Sequence, residues 1–146
     1  MKKGTLALSL LLASLGTAAS AEARDTPYFL PIQEALATPA AQEKLDPSIR
    51  LVFADDGGTV DRNFGEVVTS RKTNAFNKTD EEACRWVMLS ALIALQDSAR
   101  QQGGNAVVNI ASFYDRNPRA LTDEYECHAG ALMAGVALKG DVVTLR

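Results

Sequence analysis

A small α+β domain behind a cleavable leader is the architecture this sequence predicts, and three observations carry the prediction. The first twenty-odd residues combine a basic start, a short apolar run and small residues. A single long stretch, Thr79 to Gln102, has helix-start and helix-stop signals around an apolar middle. Runs rich in β-branched residues, bounded by turn formers, lie on both sides of it.

Lys2 and Lys3 supply a positive beginning, and Leu6 to Leu15 form the apolar run. Ala19-Ser20-Ala21 and Ala21-Glu22-Ala23 both fit the small-x-small rule of signal peptidase, so residues 1–21 are expected to be a signal peptide cut after Ala21 or Ala23. An apolar stretch of about ten residues is too short to cross a hydrocarbon layer of about 30 Å as a helix. No cysteine stands near the cleavage site to accept a lipid, so the expected product is a soluble periplasmic domain with no membrane anchor. Residues 22–146 fall within the usual size of one domain.

Residues 24–47 carry Pro27, Pro31, Pro39 and Pro47. Ile32–Leu36 and Ala40–Leu45 between them read as one short helix or two half-helices, with Pro39 kinking any continuous one. This segment is expected to be a packing arm ahead of a domain at 48–146.

Ile49–Ala54 reads as the first strand, closed by the turn residues Asp55-Asp56-Gly57-Gly58. Phe64 to Thr73 reads as a second strand on its β-branched content. Thr79-Asp80-Glu81-Glu82 then has the spacing of a capping box, and its acids suit the positive end of a helix dipole. Gly103-Gly104 offers a left-handed helix end. Between these signals, Trp86 to Leu95 is apolar on most faces, which predicts cover from the sheet on one side and from the arm or a partner subunit on another. Asn105–Tyr114 reads as a third strand and Asp115–Thr122 as a polar loop. Glu124–His128 and Ala131–Leu138 make one or two more strands hinged at Gly130, and Gly140-Asp141 is expected to turn the chain into Val142–Leu145.

The formal charge of −3 becomes more negative once Lys2 and Lys3 are removed. A mildly acidic domain with no basic stripe is poorly suited to nucleic acid or to an anionic membrane surface. The two cysteines, Cys84 and Cys127, form an even set, and in an oxidising compartment they are expected to pair as a disulfide. No Cys-x-x-Cys spacing supports redox chemistry. His128 is the sole histidine. A zinc held by Cys84, Cys127 and His128 in the reduced chain is the competing arrangement, and it lacks an evident fourth ligand.

There is no Gly-x-Ser-x-Gly elbow and no Walker A loop, so nucleophilic catalysis and nucleotide hydrolysis find no machinery in the chain. The acidic groups have structural explanations: Asp55-Asp56 in a turn, Asp80–Glu82 at a helix start, and Glu124 and Glu126 on a solvated strand face. Asn77-Lys78-Thr79 matches a glycosylation sequon, but Thr79 is better used as the helix cap. No cofactor is expected.

Three segments resemble the YbjQ-like family of small domains and, more distantly, the Rcs envelope-stress sensor lipoproteins. They are Phe64-Gly65-Glu66-Val67-Val68, the passage Ala99 to Ile110, and Ala134-Gly135-Val136-Ala137-Leu138. The resemblance covers about half the chain through packing motifs. It implies a ββαββ arrangement, a sheet with the long helix across it, in which Gly103 and Gly104 turn the helix tightly into the next strand. A Cys84–Cys127 bond would resemble one of the helix-to-strand ties of the stress sensors. The chain departs from them in lacking a lipidation cysteine and a second cysteine pair. From the family, self-association carries over to this chain and metal binding does not.

The resulting expectation is a non-enzymatic exported domain that binds a protein partner or another copy of itself, with envelope sensing as the setting the resemblance suggests. The alternative is a metal or small-ligand binder using His128 with nearby carboxylates or thiols.

Overall fold

The computed structural model describes residues 23–146, and the expected signal peptide at 1–21 lies outside them. The chain folds as a curled six-stranded sheet with one long helix packed across it. In order come β1 (Thr26–Pro31), α1 (Ile32–Leu36), α2 (Pro39–Lys44), β2 (Arg50–Phe53), β3 (Val60–Asn74), α3 (Asp80–Gln102), β4 (Ala106–Ser112), β5 (Glu124–Ala129) and β6 (Met133–Leu145). The order around the long helix is therefore ββαβββ, with a further strand and two short helices ahead of it, rather than ββαββ.

β6 organises the sheet. β3 runs antiparallel along one side of it, from Asn74 beside Met133 to Val60 beside Leu145. On its other side β5 pairs with Ala134 and Gly135, and β4 pairs from Leu138 to Val143. β1 extends the sheet beyond β5, antiparallel, and β2 extends it beyond β4, parallel.

Two expectations need correction here. Thr26–Pro31 is not part of a helical arm but the edge strand β1, with Tyr28 and Leu30 turned to the core. Pro27 and Pro31 are tolerated because an edge strand has no second ladder for their missing N–H groups to serve. Gly140-Asp141 does not turn the chain: β6 runs straight through it. Gly140 is there for closeness, since a Cβ on it would stand 2.8 Å from Val107 Cγ1 and 3.0 Å from the Val108 carbonyl oxygen on β4. Gly130, by contrast, does hinge β5 into β6, its N–H donating to the Met133 carbonyl at 2.8 Å.

The arm's helices form where their sequence breaks. Thr38 caps α2 by accepting from the Ala41 N–H, and Pro39 occupies the first helical position, where it starts a helix instead of kinking one. The same logic opens α3: the Thr79 hydroxyl accepts from the Glu82 N–H, and Gly103 closes the helix at φ 82°. The sheet covers one face of α3 through Val87, Met88, Ala91, Leu92 and Leu95. α1 covers another with Ile32 and Ala35, so the arm supplies the second cover. Gln96, buried on α3, fixes the arm's exit: its side-chain carbonyl accepts from the Asp46 N–H, and its amide donates to the Asp46 and Ile49 carbonyls, each at 2.9 Å.

Curling gives β4 two buried faces. Val107 and Ile110 face the helix, whereas Ala106 and Val108 join Val143, Leu145 and Val52 in a small second core on the opposite side.

Candidate functional site

Strand alternation on β5 separates the candidate residues. Tyr125, Cys127 and Ala129 belong to the core beneath α3, so Glu126 and His128 turn to the opposite face of the sheet. Cys127 meets Cys84 of α3 in a disulfide with Cα atoms 5.9 Å apart, as the cysteine count predicts. The same alternation takes His128 away from both sulfurs, so Cys84, Cys127 and His128 do not converge.

What gathers around His128 is different. The ring of Tyr114 stacks on the imidazole with centroids 3.4 Å apart and planes 4° from parallel. Tyr114 lies just beyond β4, where Asp115 and Arg116 take positive φ values of 50° and 62° and double the chain back over the sheet. His128 Nδ1 stands 3.4 Å from Asp25 Oδ1, and Nε2 stands 3.6 Å from Glu126 Oε2. Both ring nitrogens are buried, and neither contact is aligned as a hydrogen bond. The Tyr114 hydroxyl also reaches the Asp25 carboxylate, at 3.3 Å to Oδ2. Burial and the neighbouring Asp25 and Asp115 charges push the Tyr114 phenol upward from its ordinary value.

Glu126 corrects the expectation of a solvated strand face. Its side chain is only 6% exposed. Its Oε1 accepts from the Ser112 hydroxyl at 2.7 Å, and the Arg119 guanidinium lies 3.4 Å from its Oε2. Arg119 is delivered by a single bridge to β4, in which Ser112 and Arg119 exchange backbone hydrogen bonds at 2.9 Å. The guanidinium also covers Phe29 of β1 at 5.5 Å from the ring centre. A buried carboxylate with both a hydroxyl donor and a cation beside it is satisfied in place. None of Ser112, Asp25, Tyr114 and Arg119 carried a local signal. They meet through pairing over long sequence distances.

An open cleft of about 350 Å³ adjoins the imidazole, lined by Asp25, Lys72, Tyr114, His128 and the turn between β5 and β6. Gly130 keeps the Arg24 backbone close, since a Cβ there would lie 2.6 Å from the Arg24 carbonyl oxygen. Chemically, the arrangement presents one imidazole nitrogen toward each of two carboxylates. It does not set a nucleophile against a base, since Ser112 donates to Glu126 and not to the histidine. The carboxylates lie at opposite edges of the ring, and among the described residues no group of three or more His, Cys, Asp or Glu side chains is placed to hold a metal ion.

The other acids follow the expected structural roles. Asp55 and Asp56 accept from the Gly57 and Gly58 N–H groups in the turn after β2. Asp80 at the start of α3 accepts from Arg24 at 2.7 Å and from the Tyr28 hydroxyl at 2.6 Å. These two donors hold its carboxyl down at about 2.

Fold and site together define a mixed α+β domain with a helix-to-sheet disulfide and a buried carboxylate–imidazole cluster on the reverse face. Among the described residues no helix is long and apolar enough to cross a membrane. Comparisons with protein-family models, curated proteins and solved structures return no match.

Proposed function

We propose that this chain is an exported, non-enzymatic binding domain that engages a protein partner or a second copy of itself, as the YbjQ-like and stress-sensor resemblance suggests. One observation carries the reading. β3 is fifteen residues long, pairs with β6 on one side only, and is exposed along most of its length. An unpaired strand edge of that length is a template for another chain, and strand addition is a common way for small domains to bind. An apolar ridge of Phe76, Leu132 and Met133, each about half-exposed or more, lies at the end of that strand.

Export is supported by the basic and apolar leader and by a disulfide that needs an oxidising compartment to persist. Intact mass of the protein recovered from a periplasmic fraction tests that part. A chain starting at residue 22 or 24, two hydrogens light until reduced, is the expected result. Two free thiols in an uncut chain would overturn it. Sedimentation of the same material tests the association. A monomer at every concentration that also retains nothing from an envelope extract would remove the reading.

The second reading, a metal or small-ligand site at His128, is favoured by the two buried ring nitrogens facing Asp25 and Glu126 beside an open cleft. With the thiols joined, it rests on carboxylates. A ligand bound only by the folded state must raise its melting temperature. No change with zinc, copper or nickel would count against a metal there.

A further inference from the structure

We infer that the occupant of the β3 edge is a second copy of this chain, paired antiparallel through β3 about a twofold axis at Thr69. The inference rests on the binding-domain reading above and specifies its partner and geometry.

The direction of the free backbone groups comes first. The Ala75 N–H donates to the Leu132 carbonyl at 2.8 Å, continuing the β3–β6 register by one rung. Backbone bonding alternates along an antiparallel ladder, so from Gly65 to Ala75 the odd-numbered residues bond to β6. The even-numbered residues, Glu66, Val68, Ser70, Lys72 and Asn74, turn their N–H and C=O groups to the open edge. Two contacts agree with this. The Ser70 carbonyl accepts from Arg71 at 3.5 Å and the Asn74 carbonyl from Lys78 at 3.2 Å, so long basic side chains occupy acceptors that have no strand partner.

Symmetry then limits the registers. A twofold axis normal to the sheet keeps each face continuous, so even-numbered residues must oppose even-numbered ones. That places the axis at a residue and not between two. With the axis at Thr69, Glu66 opposes Lys72 of the other copy, twice, and Val68 opposes Ser70. With the axis at Val68 or Ser70, Glu66 opposes Ser70 or Asn74 and no unlike charges meet. At Arg71 two arginines coincide, and at Val67 Lys72 opposes Arg62. Among registers whose charged pairs lie within the regular ladder from Gly65 to Asn74, only the one at Thr69 sets opposite charges across the seam, and cross-strand charge pairs of that kind decide register.

The monomer leaves these groups ready. Glu66 touches only Lys139, at 3.3 Å with its side chain half-exposed, and can accept a second cation. Lys72 makes no ion pair within the chain among the described residues. The bulge at Gly65 ends the regular ladder there, so the seam is short and the dimer reversible.

The test uses protein expressed from the full chain and recovered oxidised, followed by sedimentation equilibrium over a wide concentration range. Lys72→Glu and Glu66→Lys, each alone, set like charges across both ends of the seam and are expected to raise the dimer Kd about tenfold. The double variant restores the opposite pairing and is expected to return Kd to the wild-type value. Ser70→Pro removes an outward N–H and no β6 bond, and is expected to give a monomer with its melting transition retained. A dimer indifferent to all three changes would overturn the register while leaving self-association standing. A wild-type monomer throughout would overturn both. Single variants that weaken the dimer without rescue by the double one would overturn the Glu66–Lys72 pairing.

Discussion

Asp80 ties the first described residues to the start of the long helix through Arg24 and Tyr28, and its chemistry makes a pH prediction. The folded state favours its ionised form, so its contribution is complete above its ordinary value of 3.8 and is lost as pH falls from there to about 2. Arg24 is nearly half exposed, so solvent screens the pair and it contributes only a small amount near neutral pH. Asp80→Asn is expected to remove that amount at pH 7 and to flatten the fall in denaturation midpoint between pH 4 and about 2. Tyr125 makes the opposite case. Its hydroxyl is buried without a hydrogen-bond partner, and that burial pushes the phenol far upward. Tyr125→Phe is expected to leave the melting temperature unchanged or raise it, because nothing is unpaired by the change. A drop of several degrees would show that the hydroxyl is satisfied in solution. At this scale the ends of the long helix were legible in the sequence, because Thr79 and Gly103 act within one helical turn. The cluster around His128 was not. Glu126 looks like any strand-face acid until Ser112 and Arg119, distant in sequence, close over it.

Elements divide in the same way between local and distant causes. The long helix was readable from its two ends, and so was the disulfide from its cysteine count. β1 was not, because four prolines between residues 24 and 47 argue against regular structure and only the β5 partner makes Thr26–Pro31 a strand. β6 was read as two pieces because Gly140-Asp141 is a common turn pair, whereas here the glycine is demanded by the approach of β4. Gly104 makes a matching prediction where α3 passes into β4. A methyl group there would lie 2.8 Å from the Val143 carbonyl oxygen and 2.7 Å from Val142 Cγ1. Gly104→Ala is expected to cost about 1–3 kcal/mol, since a backbone oxygen cannot step aside. Gly135→Ala, whose nearest neighbours stand 3.6 Å away or more, is expected to be close to neutral. Urea midpoints of the two variants, compared side by side, test the contrast.

For the whole molecule, the Cys84–Cys127 bond joins the helix layer to the sheet layer across a sequence separation of 43. Closing a loop of that size restricts the unfolded chain by about 4 kcal/mol. Cys84→Ser is expected to lower the stability by an amount of that order, and equal denaturation midpoints for variant and oxidised wild type would contradict it. The central place of β6 has a consequence for how the molecule is made. Residues 133–145 pair with β3, β4 and β5, so until the ribosome has released that segment β3 has no neighbour and the β1–β5 and β2–β4 pairs stay unjoined. The continuous sheet beneath α3 therefore cannot close early in synthesis, because its ladders are long-range and their joining waits on one late strand. A polypeptide that cannot fold too soon stays threadable, and threading through a narrow translocation pore is what its leader would ask of it.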